Sequence, residues 1–366
     1  MSSVNADPLR VIAAEPPPFS GRDAIAIASN HYGLSVSARE LISERDRNFH
    51  LAAGDGREFV LKITSSAEDP LVTDFQIQAL RYIEAHAGER GTDIATPRIV
   101  PALDGRMSLE LDSAAGTHVA RLVTYLPGVL LVGKPLSPAL CRNFGVYAAK
   151  LGRALQGFEH PGSNQSLIWN MNDASRVREI SHHIPDRPLR DLVTACLDRF
   201  EAELLRSFPS LRWQVIHNDL NPENVLLDPR DDTRVVGVID FGDMVRCPLV
   251  VDVAVAASYV RDFHGDPLAR IAAFLEAYHS VTPLERREID LIFDLICVRL
   301  ATTVAVLHWR IAQRGADDPY LNNSVSAEST AGKFLASLRE IPREHARQTF
   351  RQVCASADAA TARGAW

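Results

Sequence analysis

Val215-Ile216-His217-Asn218-Asp219-Leu220-Asn221-Pro222-Glu223-Asn224-Val225-Leu226-Leu227-Asp228 is followed by Val235-Val236-Gly237-Val238-Ile239-Asp240-Phe241-Gly242-Asp243. Two short runs rich in valine, isoleucine and leucine flank Pro229-Arg230-Asp231-Asp232, a composition typical of turns. The pattern predicts a loop, a strand, a turn, a strand and a second loop. A hairpin brings its two ends together. Asp219 and Asn224, before the first strand, are therefore expected beside Asp240, after the second.

Those residue types in that arrangement suit phosphoryl transfer. Its transition state spreads charge over phosphate oxygens, so catalysis is mostly positioning and neutralisation. One carboxylate must accept a hydrogen bond from the attacking hydroxyl, a role that fits Asp219. Hard oxygen ligands must hold Mg²⁺, which needs only one or two carboxylates beside phosphates and water. Asn224 and Asp240 fit that role. His217-x-Asp219-x₄-Asn224 and, sixteen residues beyond Asn224, Asp240-Phe241-Gly242 make a far more specific signal together than any lone His-x-Asp. Asp243 reads equally as a second metal-side carboxylate or a solvated turn residue. His217 is expected to orient the loop.

Upstream of this island the patterns are short. Residues 1–18 end in Glu15-Pro16-Pro17-Pro18 and read as a mobile leader. A helix is predicted from Ser20 to Tyr32, stopped by Gly33. Strands follow around 38–43, 49–53 and 58–63, the last two joined by Gly54-Asp55-Gly56. Pro70 opens a helix to His86. Further strands are expected at 98–101, 108–111 and 119–126. Beyond Gly128 helical patterns dominate, at 138–156, 188–206, 249–260, 267–278, 285–313 and 330–351. The prediction is an α+β chain: a leader (1–18), a small antiparallel-sheet lobe (19–126), a larger helical lobe (127–351) and a frayed tail (352–366).

Composition narrows the function classes. The chain has 366 residues with 39 Lys and Arg against 46 Asp and Glu, a formal charge of −7. That balance argues against nucleic acid as a partner, which calls for basic patches. The five cysteines are scattered without a Cys-x-x-Cys pair, so reduced thiols and a cytoplasmic setting are expected. No secretory signal pattern opens the sequence. The longest apolar stretch, Leu291 to Leu307, carries Asp294 and Arg299 and reads as a buried helix, so no membrane span is expected. Trp169, Trp213 and Trp309 are expected in the core, and the adjacent His182 and His183 on the surface.

The catalytic-loop strings, with His31-Tyr32-Gly33-Leu34, Ser43-Glu44-Arg45-Asp46-Arg47-Asn48-Phe49, Val60-Leu61-Lys62-Ile63 and Arg121-Leu122-Val123-Thr124-Tyr125-Leu126-Pro127-Gly128, resemble the aminoglycoside-phosphotransferase and choline-kinase-like group. Within it the chain looks most like hydroxylysine kinases and the kinase modules fused to class III aminotransferases. The likeness spans roughly residues 20–345. It implies a bilobal protein-kinase-like fold and an Mg²⁺-dependent kinase using ATP or GTP. Lys62 would reach the α- and β-phosphates, with Asp74 where relatives have a glutamate partner and Gln76 as a stand-in. The turn carrying Ser43, Arg47 and Asn48 would cover the phosphates, and Thr124 and Leu126 would meet the base. Asp252 would brace the catalytic loop. Asn218 and Glu223 stand where many relatives have glycine.

The acceptor that the resemblance implies is an amino-alcohol metabolite, foremost 5-hydroxylysine. An aminoglycoside, homoserine, ethanolamine or choline would use the same chemistry. Readings of another class are a nucleotide-binding pseudokinase and a partner of an aminotransferase. On the helix from about 284 to 311, Asp290 and Asp294 share a face and with Glu276 would suit an ammonium. Arg299 would grip a carboxylate with two parallel hydrogen bonds, or else pair with an acid inside the core. The oligomeric state is not legible in the sequence.

Overall fold

The computed structural model describes residues 9, 14–315 and 330–362. The chain divides into two compact units. The first takes residues 1–86, 95–127 and 160–167, and the second takes 87–94, 128–159 and 168–366.

In the first unit, helix α1 (Gly21–Tyr32) starts on a capping box. Ser20 and Asp23 bond each other's backbone N–H, and Gly33 ends the helix at φ 65°. Strands β1 (Val36–Leu41), β2 (Arg47–Ala53) and β3 (Glu58–Ile63) run as an antiparallel meander. The β2–β3 hairpin closes through Ala53 N–H to Arg57 O at 2.9 Å, with Gly56 at φ 87°. Asp69 caps helix α2 (Pro70–Ala85), whose first residue is proline. Strands β4 (Ile99–Val100), β5 (Leu109–Ser113) and β6 (Gly116–Thr124) complete an antiparallel sheet ordered β1-β2-β3-β6-β4, with β5 also on β6. Phe49, Leu51, Leu61, Ile63, Ala120 and Leu122 make its core with Ala24 and Ala28 of α1.

The second unit is built on helices. Strand β7 (Val129–Leu130) precedes α3 (Pro138–Ala154), capped by Ser137. Helix α4 (Arg187–Arg199) is capped by Asp186. Strands β8 (Trp213–Ile216), β9 (Val225–Asp228), β10 (Asp231–Val238) and β11 (Val245–Pro248) form two small antiparallel sheets, β10-β9-β7 and β11-β8. Helices α5 (Leu249–Ala257), α6 (Ala269–Val281), α7 (Ile292–Arg314), α8 (Ala331–Arg339) and α9 (Arg343–Ala362) follow. Helices α3 and α6 pack so closely that a Cβ at Gly145 would lie 2.2 Å from the Phe274 carbonyl oxygen. Only glycine permits that approach.

Several sequence expectations need correction. The predicted frayed tail is helical as far as Ala362, because Phe350, Cys354 and Ala357 of α9 are buried and α9 packs on α6. Residues 363–366 lie outside the described set. Of the predicted mobile leader, residues 1–8 and 10–13 lie outside it. Pro17 is buried, and its carbonyl accepts Arg47 Nε at 3.0 Å. The helix expected over 285–313 is two: Arg286–Ile289 ends at Asp290, and α7 begins at Ile292. The 330–351 pattern breaks before Pro342, whose ring forbids a continuous helix. Among the described residues no helix is long and apolar enough to cross a membrane.

Candidate active site

The β9–β10 hairpin sets the geometry. Val225 pairs with Val238, and one step beyond the ladder the Ile239 N–H donates to the Asn224 carbonyl at 2.9 Å. The loop before β9 and the loop after β10 are thereby joined at the residues flanking Asp240. Both loops carry a strained residue: Asn218 at φ 64° and Asp240 at φ 58°, the only non-glycine residues with positive φ among those described. The backbone at Asn218 has the left-handed conformation that glycine adopts freely and asparagine tolerates.

Buried polar contacts hold that strain. Asp252, on α5 and 4% exposed, accepts the Asn218 N–H at 2.7 Å. The Asn218 side chain donates to the backbone carbonyls of Asp243 (3.1 Å) and Trp169 (3.4 Å). Burial raises the Asp252 carboxyl to about 6, opposed by the N–H groups of Asn218 and His217. His217 is fully buried, with its ring edge-on to Phe241 at 4.8 Å. Its Nε2 faces the Ile239 carbonyl at 3.3 Å and its Nδ1 accepts the Asp219 N–H at 3.3 Å, so the ring is neutral with its proton on Nε2. Burial depresses its pKa to about 4 against the pull of Asp240.

Asp219 is the centre of the loop. Asn221, which carries no sequence signal beyond its place in the turn, donates through Nδ2 to both carboxylate oxygens at 3.0 and 3.1 Å. Asn224 Nδ2 donates to Oδ2 at 2.7 Å and to the Asp219 carbonyl at 3.0 Å. Arg299 Nη2 donates to Oδ1 at 3.3 Å. The side chain keeps 20% of its surface in solvent. Burial raises its pKa to about 7, Asp243 and Asp240 add to that, and Arg299 opposes it. Two further carboxylates, Asp243 and Asp240, thus act on Asp219 against one guanidinium, an imbalance a divalent cation would relieve. The Asn224 amide nitrogen is committed to Asp219, which leaves its oxygen as the cation-facing end. Asp240 Oδ1 accepts the Gly242 N–H at 3.1 Å and so fixes the carboxylate. These residues fit a hard cation completed by phosphates. Among the described residues no group of three or more His, Cys, Asp and Glu forms a self-sufficient metal cage.

In the first unit, Lys62 on β3 sits between Asn48 of β2 and Arg121 of β6 in register. The two residues expected to pair with it are engaged elsewhere. Asp74 accepts from Gln78 (3.1 Å) and meets His160 Nε2 (3.1 Å), while Gln76 accepts from Arg121. Ser43 lies in the loop joining β1 and β2, and Asn48 is buried. Arg47 pairs with Glu40 on the opposing strand. Thr124 ends β6 and bonds Arg98 through its backbone and hydroxyl. Leu126 follows, half-buried, with no backbone hydrogen bond among the described residues.

Asp290 and Asp294 both face α9, whose Arg347 contacts the Asp290 carbonyl and the Asp294 carboxylate. Asp290 lies in the break before α7 and binds Arg351 at 2.6 Å. Asp294 is 3% exposed and held by Arg199, Arg343 and Arg347 at 2.9–3.1 Å. Glu276 pairs with Arg142 at 3.4 Å. Each of the three acids thus has an arginine partner, invisible without the fold.

The α+β fold and the Asp219–Asn224–Asp240 constellation define a small-molecule kinase with a protein-kinase-like fold. Residues 38–289 match the model of the phosphotransferase enzyme family, and the chain belongs to that family. It is a phosphotransferase acting on an alcohol group. It is 28% identical over 318 residues to a hydroxylysine kinase of Danio rerio, covering 83% of this chain and 88% of that protein. Among solved structures it resembles a microcompartment-associated aminopropanol kinase (TM-score 0.67, 19% identity, 94% of this chain and 99% of the other). It also resembles an amicoumacin kinase solved with AMP-PNP and Ca²⁺ (TM-score 0.64, 14% identity, 86% and 94%).

Proposed function

We propose that this kinase transfers the γ-phosphoryl of ATP or GTP, with Mg²⁺, to the hydroxyl of an amino alcohol, foremost 5-hydroxylysine. The observation that supports the reading is the hydrogen bond from Ile239 N–H to Asn224 O, which joins the loops that carry Asp219, Asn224 and Asp240. The Danio rerio relative supports the acceptor, since the likeness runs over most of both chains.

In this reading Asp219 accepts a hydrogen bond from the acceptor hydroxyl and orients its oxygen at the γ-phosphorus. The bond from that oxygen to phosphorus forms as the bond to the β,γ-bridging oxygen breaks. The hydroxyl proton leaves through Asp219 or solvent. Asn224 and Asp240 would hold Mg²⁺, which when bound would supply neutralisation of the charge developing on the phosphates. Lys62 serves the α- and β-phosphates, the 43–48 turn covers them, and Thr124 and Leu126 present backbone to the base. His217, Asp243 and Asp252 keep the loop in its strained conformation. The contacts of Asp74 with Gln78 and His160, of Gln76 with Arg121 and of Arg47 with Glu40 are structural.

The test is direct. Purified protein is incubated with ATP or GTP, Mg²⁺ and a panel of 5-hydroxylysine, homoserine, ethanolamine, choline and an aminoglycoside, and products are read by mass spectrometry. A phosphomonoester formed most efficiently on 5-hydroxylysine is expected. No product on any amino alcohol overturns the reading.

A further inference from the structure

Arg299 lies on α7 and is 2% exposed. Its guanidinium stacks over the Trp169 ring at 4.5 Å. Arg310, eleven residues or about three turns further along the same helix, lies over the same ring at 5.4 Å. Asp219, Tyr259, Asp243 and Asp252 are the acidic groups beside Arg299, and the Tyr259 hydroxyl lies within hydrogen-bond reach of the guanidinium. Only Nη2 meets a carboxylate, at Asp219 Oδ1. Nε and Nη1 are buried and have no hydrogen-bond partner. Buried donors without an acceptor are rare, and a pair of them on one guanidinium calls for an explanation. Nη2 carries two hydrogens; one meets Asp219, and the other makes, with Nε on one edge or Nη1 on the other, the planar fork that matches a carboxylate.

The two oxygens of Asp219 divide the space. Oδ2 takes Asn224, the side assigned above to the metal and phosphates, and Oδ1 takes Arg299. Arg299 therefore meets the oxygen of Asp219 opposite the one that Asn224 holds, next to the carboxylate assigned above to the acceptor hydroxyl. We propose that Arg299, braced by Trp169, binds a carboxylate of the acceptor, so that the substrate is a hydroxylated amino acid in preference to the matching decarboxylated amine. The proposal rests on the amino-alcohol reading above and deepens it. Because the donors are sealed from water in the free protein, acceptor binding shifts a neighbouring side chain, and the new pair forms in a desolvated place where such contacts are strongest.

The experiment compares two matched pairs that differ only in the carboxylate: 5-hydroxylysine with 1,5-diaminopentan-2-ol, and homoserine with 3-aminopropan-1-ol. Steady-state kcat/KM is measured for wild type, Arg299→Gln and Arg299→Lys. The wild type is expected to prefer the carboxylated member of a pair it uses by at least about tenfold, the scale of one charge-assisted hydrogen bond. Arg299→Gln should erase that preference, mainly by raising KM for the carboxylated acceptor, with the nucleotide KM unchanged. Arg299→Lys should keep part of it. Taking the ratio within a pair cancels any common loss through Asp219. Equal wild-type efficiency on both members overturns this inference and leaves the amino-alcohol reading intact. So does a preference that survives in folded Arg299→Gln. Should that variant fail to fold, the wild-type ratio and the lysine variant still decide: full wild-type preference with lysine, which lacks the fork, counts against it. No product on any of the four acceptors overturns the amino-alcohol reading and this inference with it.

Discussion

Asp252 accepts the backbone N–H of Asn218 at 2.7 Å across 34 residues of sequence, and that bond holds the residue before Asp219 at positive φ. The acid is buried in the apolar run Val250-Val251-Asp252-Val253, where an unpaired carboxylate would be untenable. Asp252→Ala leaves the N–H without its acceptor, at about 1–3 kcal/mol. The expected result is a fall of several degrees in Tm by calorimetry, with kcat down at least about tenfold as Asp219 loses its fixed position. Wild-type turnover in a folded Asp252→Ala variant would show that the loop holds its shape without the brace.

Asp219→Asn keeps the size of the side chain and one acceptor oxygen for Asn221 and Asn224, but removes the charge that, in the proposed function, receives the hydroxyl proton. A positioned base contributes about 10²–10⁴ in rate. A drop of that order in kcat is expected, with nucleotide affinity little changed by titration calorimetry. More than half of wild-type turnover remaining would remove Asp219 from the chemistry.

If Asp240 is the cation ligand proposed above, Asp240→Ala removes that contact while the β9–β10 ladder stays intact, since Asp240 lies beyond its last pair. Nucleotide binding is expected to lose its dependence on Mg²⁺. Calorimetric titrations of ATP with and without Mg²⁺ decide the point. An enhancement equal to that of wild type would show that Asp240 is not a ligand.

His217 makes stability depend on pH. Its folded pKa of about 4 lies below the ordinary 6.5, so the fold favours the neutral ring. The contribution is complete above pH 6.5 and is lost as pH falls through 4, with the total on the order of 3 kcal/mol. His217→Gln, whose amide can still donate to the Ile239 carbonyl, should flatten that limb. Acid unfolding followed by circular dichroism between pH 7 and 3.5 tests it. Identical acid limbs in the two proteins would place the proton uptake elsewhere.

The candidate site was legible in the sequence to an unusual degree because its core is local. Asp219, Asn224 and Asp240 lie within 22 residues, and a hairpin, which valine alternation and a turn composition announce, brings them together whatever the rest of the chain does. Ser20-x-x-Asp23, Pro70 and Gly33 mark helix ends for the same reason: caps and backbone limits act within a few residues. Contacts between distant segments have no such signature. Whether Asp294 faces a substrate or three arginines depends on how α4, α7 and α9 pack, and those arginines lie up to 95 residues away. The same holds for Arg299, which reaches Asp219 across 80 residues, and for Trp169, which lies under both Arg299 and Arg310. Residue type and spacing therefore determined the chemistry this chain carries, because local backbone geometry expresses them directly. Which charges remain free to meet a ligand was decided by tertiary packing, because ion pairs are chosen by proximity in space and not by order along the chain.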